Sequence, residues 1–180
     1  MEEKKLFHYK KSYPELGSDV FVASGAKLIG DVKIDIGSSV WYNCVIRGDI
    51  HYIKIGKDTN IQDGSVLHVT YDKHPLNIGD YVTVGHNVTL HGCTINNSCL
   101  IGMGSVLLDG CTIEENAVVA AGSVVKQGFV VPSGKLVAGV PAKVIRDLSK
   151  DEIDGIRASA LHYVENAVIS QKSINDSSEG

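Results

Sequence analysis

The sequence has no CxxC pair among its four cysteines, no block of Lys and Arg, no apolar run of membrane-spanning length, and only four prolines. Without a paired spacing, Cys44, Cys93, Cys99 and Cys111 read as small buried hydrophobes set among aliphatics, not as a metal knuckle or a redox motif. The 17 basic and 21 acidic residues are interspersed and give a net charge of -4. The electrostatic footprint of a nucleic-acid binder is therefore missing, and nucleic acid is not an expected partner. The opening MEEKKLFHYKKSYPELG is charged and has no apolar core of signal-peptide length. No later stretch approaches the roughly 20 apolar residues of a membrane span, so the expected setting is cytoplasmic with no membrane contact.

Glycine, in contrast, is plentiful, at 19 of 180 residues. With so little proline, this speaks for many ordered turns inside a single domain and not for disorder. Aliphatics recur at Ile55, Ile61, Leu67, Ile78, Val84, Leu90, Ile95, Ile101, Leu107, Ile113, Val119 and Val125, in steps of six apart from one of eleven and one of five. Gly, Asn, Asp or Ser follow within many units, as in Ile101-Gly102-Met103-Gly104, which is turn chemistry at regular corners. A helix does not fit, because its period is 3.6 and each interior Gly costs about 1 kcal/mol against Ala. A short strand and a corner per hexad, with three hexads per circuit, predict a parallel β-helix whose triangular interior is filled by one aliphatic per side. Cys93 and Cys111, like Thr94 and Thr112, lie 18 residues apart and fall in common columns. The pattern resembles the hexapeptide-repeat proteins, and that resemblance implies a left-handed prism.

Past the repeat, Pro132, Gly134, Gly139 and Pro141 mark an irregular exit, and Ser149-Lys150-Asp151-Glu152 is a capping box. Ile153, Ile156, Ala160, Val164, Ala167 and Val168 form an apolar stripe for a helix lying along the prism. The expected organisation is an N-terminal segment over 1–19, the β-helix over 20–135, a connector over 136–148, a helix over 149–170, and a disordered tail over 171–180 that lacks apolar anchors.

In VGHNVTLHGCT, residues 84–94, two histidines stand five apart. His91 follows Leu90 as His68 follows Leu67, so these two share a column on adjacent coils. Their separation of 23 is a coil plus an insertion of five, with residues 71–76 looping out. His86 lies across a corner from them. Three nitrogens could still meet on one metal ion if His86 came from a neighbouring chain of a trimer. The plain alternative is a set of surface or interface histidines. His8, His51, His74 and His162 read as nonligating.

Arg47-Gly48-Asp49, Asn60-Ile61-Gln62-Asp63, the three histidines and the VAGVPAKVIR exit at 137–146 together resemble the γ-class carbonic anhydrases. The resemblance spans about residues 20–168. It implies that His68 and His91 of one subunit and His86 of the next bind Zn²⁺, with Fe²⁺ or Co²⁺ as alternatives, in a homotrimer acting on CO₂ and bicarbonate. It also implies that Arg47 and Asp49 link subunits beside the site, that Gln62 and Asp63 orient water or bicarbonate, and that Tyr163 is a helix residue on the substrate side. Three neutral imidazoles would leave the double charge of the ion intact and supply hydroxide near neutral pH. The chain departs from the best-known members of that family. Their acidic loop with its glutamate proton shuttle has no counterpart, and Ile50 follows Asp49 where an acid is expected. Tyr71, Asp72 or His74 could relay the proton instead. The same fold also carries acyltransferases and would suit a metal-dependent acyl-CoA thioesterase, or a noncatalytic trimeric scaffold clamped by metal.

Overall fold

The computed structural model describes residues 4–178. The hexads become two-residue and three-residue strands that stack in parallel, with a turn between each pair. One side of the prism is an eight-stranded sheet. It begins with Phe21–Val22, Ser39–Val40, Asn60–Ile61 and Thr83–Val84, and continues through Leu100–Ile101, Val118–Val119 and Lys135–Gly139. The other two sides belong to one twelve-stranded sheet. Its halves are joined by the long strands Lys27–Ile34 and Val45–Ile55, which pair with each other and run past a corner.

Each side sends one aliphatic column inward. Ile46, Leu67, Leu90 and Leu107 form one, Ile78, Ile95 and Ile113 the second, and Val40, Ile61, Val84 and Ile101 the third. All are buried, and burying a side chain of this size contributes roughly 1.5–3 kcal/mol. The four cysteines are free and buried, the small-hydrophobe role expected for them.

Four boundaries differ from the sequence reading. Within the N-terminal segment, Leu6–Phe7 and Glu15–Leu16 pair with Lys27–Ile34 and so extend the solenoid. The connector is also sheet, since Ala142–Asp147 folds back antiparallel onto Lys135–Gly139. The loop after His68 ends at residue 75. Leu76, two positions before inward-facing Ile78, points the same way and is buried, as the strand period of two requires. The helix, α1, runs Lys150–Ser178 and continues through eight residues expected to be tail. Ile174 supplies an apolar anchor there, because it packs against the cluster of Phe21, Ala23 and Ala167.

The capping box forms as expected. The Ser149 backbone N–H donates to Glu152 Oε2 at 2.8 Å, and the Glu152 N–H donates to Ser149 Oγ at 3.2 Å. α1 lies over the eight-stranded sheet with Ile156, Ala160 and Ala167 buried. Val168, assigned to the stripe, is exposed. It is the residue next to Ala167, and one residue turns a helix by 100°, enough to leave the covered face.

Candidate metal centre

The strands Val66–His68 and Thr89–His91 lie side by side in parallel and pair His68 with His91. Each histidine follows an inward leucine, so both rings stand on the outer face. His68 Nδ1 is 3.1 Å from His91 Nε2. The opposite nitrogen of each ring meets a carboxylate: His68 Nε2 is 3.0 Å from Asp49 Oδ1, and His91 Nδ1 is 2.8 Å from Asp109 Oδ1. Asp49 also accepts from Arg47 through its other oxygen, and Asp109 accepts from the Thr70 hydroxyl at 2.8 Å.

These partners set the charge states. Burial raises both carboxyls, but hydrogen bonds from His68 and Arg47 to Asp49, and from His91 and Thr70 to Asp109, outweigh it and leave both below the ordinary value. The carboxylates are therefore ionised acceptors. The His68 imidazole is pushed down by burial, with its Asp49 hydrogen bond opposing. Placing one proton on each carboxylate-facing nitrogen leaves two lone pairs facing each other at 3.1 Å. Two acceptors cannot satisfy each other, whereas a cation between them can. Nitrogens about 2.0–2.1 Å from one tetrahedral ion lie roughly 3.3 Å apart. The donor set and its spacing thus fit a divalent metal, with each ring backed by a carboxylate in the manner of metal-ligating histidines.

The remaining candidates gather elsewhere. His86 and Asp63 occupy stacked corners, on turns that follow the adjacent strands Asn60–Ile61 and Thr83–Val84, with His86 Nδ1 2.7 Å from Asp63 Oδ2. Gln62 is buried beside them, and its amide donates to Asn60 Oδ1 at 3.1 Å. Tyr163 reaches this side from α1, edge-on to Trp41 at 5.5 Å between ring centroids. Burial and then the charge of Asp63 raise its hydroxyl pKa. One chain therefore presents two separate clusters, His68 and His91 with Arg47 and Asp49, and His86 with Gln62, Asp63 and Tyr163. Among the described residues no three His, Cys, Asp or Glu side chains form a group that could hold a metal ion within the chain.

Sequence reasoning missed Asp109 and Thr70. The column arithmetic sets Leu107 against Leu90 and so Leu108, not Asp109, against His91. The short five-residue step from Leu90 to Ile95 leaves Asp109 as the extra corner residue opposite. That one-residue deficit was the available signal.

The family model for the bacterial transferase hexapeptide (six repeats) matches residues 92–127. The chain is 54% identical over 149 residues to a protein of Methanocaldococcus jannaschii named "Probable carbonic anhydrase", covering 83% of this chain and 93% of that one. It is 46% identical over 155 residues to "Gamma carbonic anhydrase 1, mitochondrial" of Arabidopsis thaliana, covering 83% of this chain and 56% of that longer protein. The crystal structure of a hexapeptide transferase family protein from Anaplasma phagocytophilum superposes with a TM-score of 0.86 at 40% identity, covering 91% of this chain and 96% of that one. Identity at this level, over nearly the whole archaeal relative, places the chain in the γ-class carbonic anhydrase family of hexapeptide-repeat proteins.

Proposed function

We propose that the protein catalyses the reversible hydration of CO₂ to bicarbonate at a metal ion held by His68 and His91 of one subunit and His86 of the next in a homotrimer. The observation that carries this reading is the pair of facing ring nitrogens 3.1 Å apart, each ring held from behind by a carboxylate. Two half-sites on neighbouring faces suit a ring of three prisms, in which one face of each subunit meets the next face of its neighbour. The names of the relatives agree with the reaction.

When bound, Zn²⁺, Fe²⁺ or Co²⁺ with three neutral imidazoles would lower the pKa of water to about 7 and so make a nucleophile available near neutral pH. The residues of the chain position the reactants. Gln62 donates its amide N–H to Asn60, which leaves its carbonyl oxygen to accept a hydrogen bond from the attacking water and so aim its oxygen at CO₂. Asp63 fixes the His86 ring. Arg47, tied to Asp49, offers positive charge to departing bicarbonate and a link across the subunit interface. Tyr163, backed by Trp41, walls the helix side of the substrate space. Each hydration turnover releases one proton to solvent, and Tyr71, Asp72 or His74, in the excursion after His68, is the relay group in place of the family's acidic loop.

A second reading is acyl transfer, which the similarity to a hexapeptide transferase family protein of Anaplasma phagocytophilum supports, or thioester hydrolysis by the same metal site. Stopped-flow CO₂ hydration against thioester hydrolysis separates the two, and metal binding without either activity would leave a clamped scaffold. The shared site is tested by co-refolding a His68→Ala chain with a His86→Ala chain. Mixed trimers should recover metal and CO₂ hydration at the interfaces that regain three imidazoles. Verified mixed trimers that recover neither would place the site within one chain or nowhere.

A further inference from the structure

We propose that Asp109, braced by Thr70, is a positioning residue that fixes His91 in the tautomer with its proton on Nδ1 and so turns Nε2 toward the metal. The inference rests on the metal reading above and concerns a residue outside the motifs that identify the family. Asp109 Oδ1 lies 2.8 Å from His91 Nδ1 and 2.8 Å from the Thr70 hydroxyl oxygen. One carboxylate oxygen thus receives two donors. An ionised carboxylate can only accept, so the shared proton resides on the imidazole, and Nε2 keeps its lone pair.

The surrounding backbone is built to bring Asp109 this close. Gly92, between His91 and Cys93, has φ +51, and a Cβ there would lie 2.4 Å from Asp109 Oδ1 and 2.7 Å from His74 Cβ. Any side chain at 92 would displace the carboxylate or the loop. Thr70 is held in turn by the excursion that follows His68. Its N–H donates to the His74 carbonyl at 3.0 Å, and the His74 N–H donates back at 3.3 Å. The His74 ring then lies against Gly110, where an added Cβ would come within 3.0 Å of it. The five-residue insertion therefore places Thr70 under Asp109, and the missing residue at Gly92 makes room for Asp109 beside His91. Both departures from the regular hexad converge on one carboxylate oxygen, Asp109 Oδ1.

The test uses the full-length trimer with Asp109→Ala, Asp109→Asn, Thr70→Val and, as a control, His91→Ala. Zn²⁺ affinity is read by competition with a chromophoric chelator, and the His91 tautomer by ¹⁵N shifts of the ring in metal-free protein. Removal of such a partner is expected to weaken metal binding about 10–100-fold. Asp109→Ala should do so and should move His91 away from the Nδ1–H form. Asp109→Asn, whose amide oxygen still accepts, should recover part of the affinity, and Thr70→Val should lose less than Asp109→Ala. Folded Asp109→Ala with wild-type affinity and an unchanged tautomer overturns the proposal. If Asp109→Ala does not fold, wild-type Zn²⁺ affinity in both Asp109→Asn and Thr70→Val overturns it equally. Wild-type protein that fails to bind Zn²⁺, or His91→Ala that binds it as well as wild type, overturns the metal reading itself, while the tautomer shift still reports on Asp109.

Discussion

His68 and His91 are partners in a parallel strand pair, and the facing nitrogens of their rings are 3.1 Å apart, two acceptors when each ring keeps its proton on the carboxylate side. A cation relieves that conflict. Metal-free protein should therefore gain stability on addition of Zn²⁺, by about 2.7 kcal/mol at a free concentration 100-fold above Kd. Mg²⁺, which prefers oxygen ligands, should have little effect. Thermal unfolding of the stripped protein with each ion checks this. A Zn²⁺ shift that persists in the His68→Ala, His91→Ala double variant would mean that the ion binds elsewhere.

Gly92 and Gly122 both have positive φ, but their surroundings differ. A Cβ at Gly92 meets Asp109 at 2.4 Å, while nothing lies within 4 Å of one at Gly122. Gly122→Ala should cost only the left-handed backbone penalty, about 1–2 kcal/mol. Gly92→Ala should cost more and should also weaken metal binding, since the atom it strikes holds His91. Chemical denaturation of both variants beside a metal titration separates the effects. Equal costs with unchanged metal affinity would show that Asp109 yields freely.

The solenoid was legible because its signal is repeated. Twelve aliphatics in one register identify inward positions even where single units are irregular, and the same register sets His68 beside His91. What escaped lies where the register breaks. Asp109 became visible only through the short step at Gly92, and Thr70 only through the closing of the 71–75 excursion. Ile174 was missed because one isoleucine among KSINDSSEG is a weak periodic signal, yet Phe21, Ala23 and Ala167 give it a place to pack. Whether the His86 cluster meets the His68 and His91 pair of another chain depends on how prisms associate, and no spacing within one chain encodes that.

Along α1, burial separates residues of similar character. Ile156 is 3% exposed and Val168 66%. Ile156→Ala should destabilise the protein by about 2–5 kcal/mol, whereas Val168→Ala should stay within about 0.5 kcal/mol. Urea unfolding followed by Trp41 fluorescence suits the comparison, because the indole packs against Tyr163 of the same helix. A large loss at Val168 would instead mark that outer face as covered in the assembled protein.

Glu152 joins the two ends of the exit. Its oxygens accept from Arg146 Nη1 at 2.8 Å and Nη2 at 2.7 Å, and one also caps the Ser149 N–H. These bonds, that from Arg146 foremost, hold the carboxyl at about 2 against an ordinary 4.5. A carboxyl whose pKa is lowered on folding adds stability that is complete above its unfolded value and fades as pH falls toward the folded one. The Glu152 contribution should therefore be intact at pH 6 and decline between about 4.5 and about 2. Glu152→Gln keeps an acceptor for the cap but has no proton to take up. The stability difference between wild type and this variant should shrink across that window, as read by thermal unfolding at successive pH values. A difference that stays constant through the window would mean that the Arg146 pair does not form in solution and that the cap alone sets the start of α1.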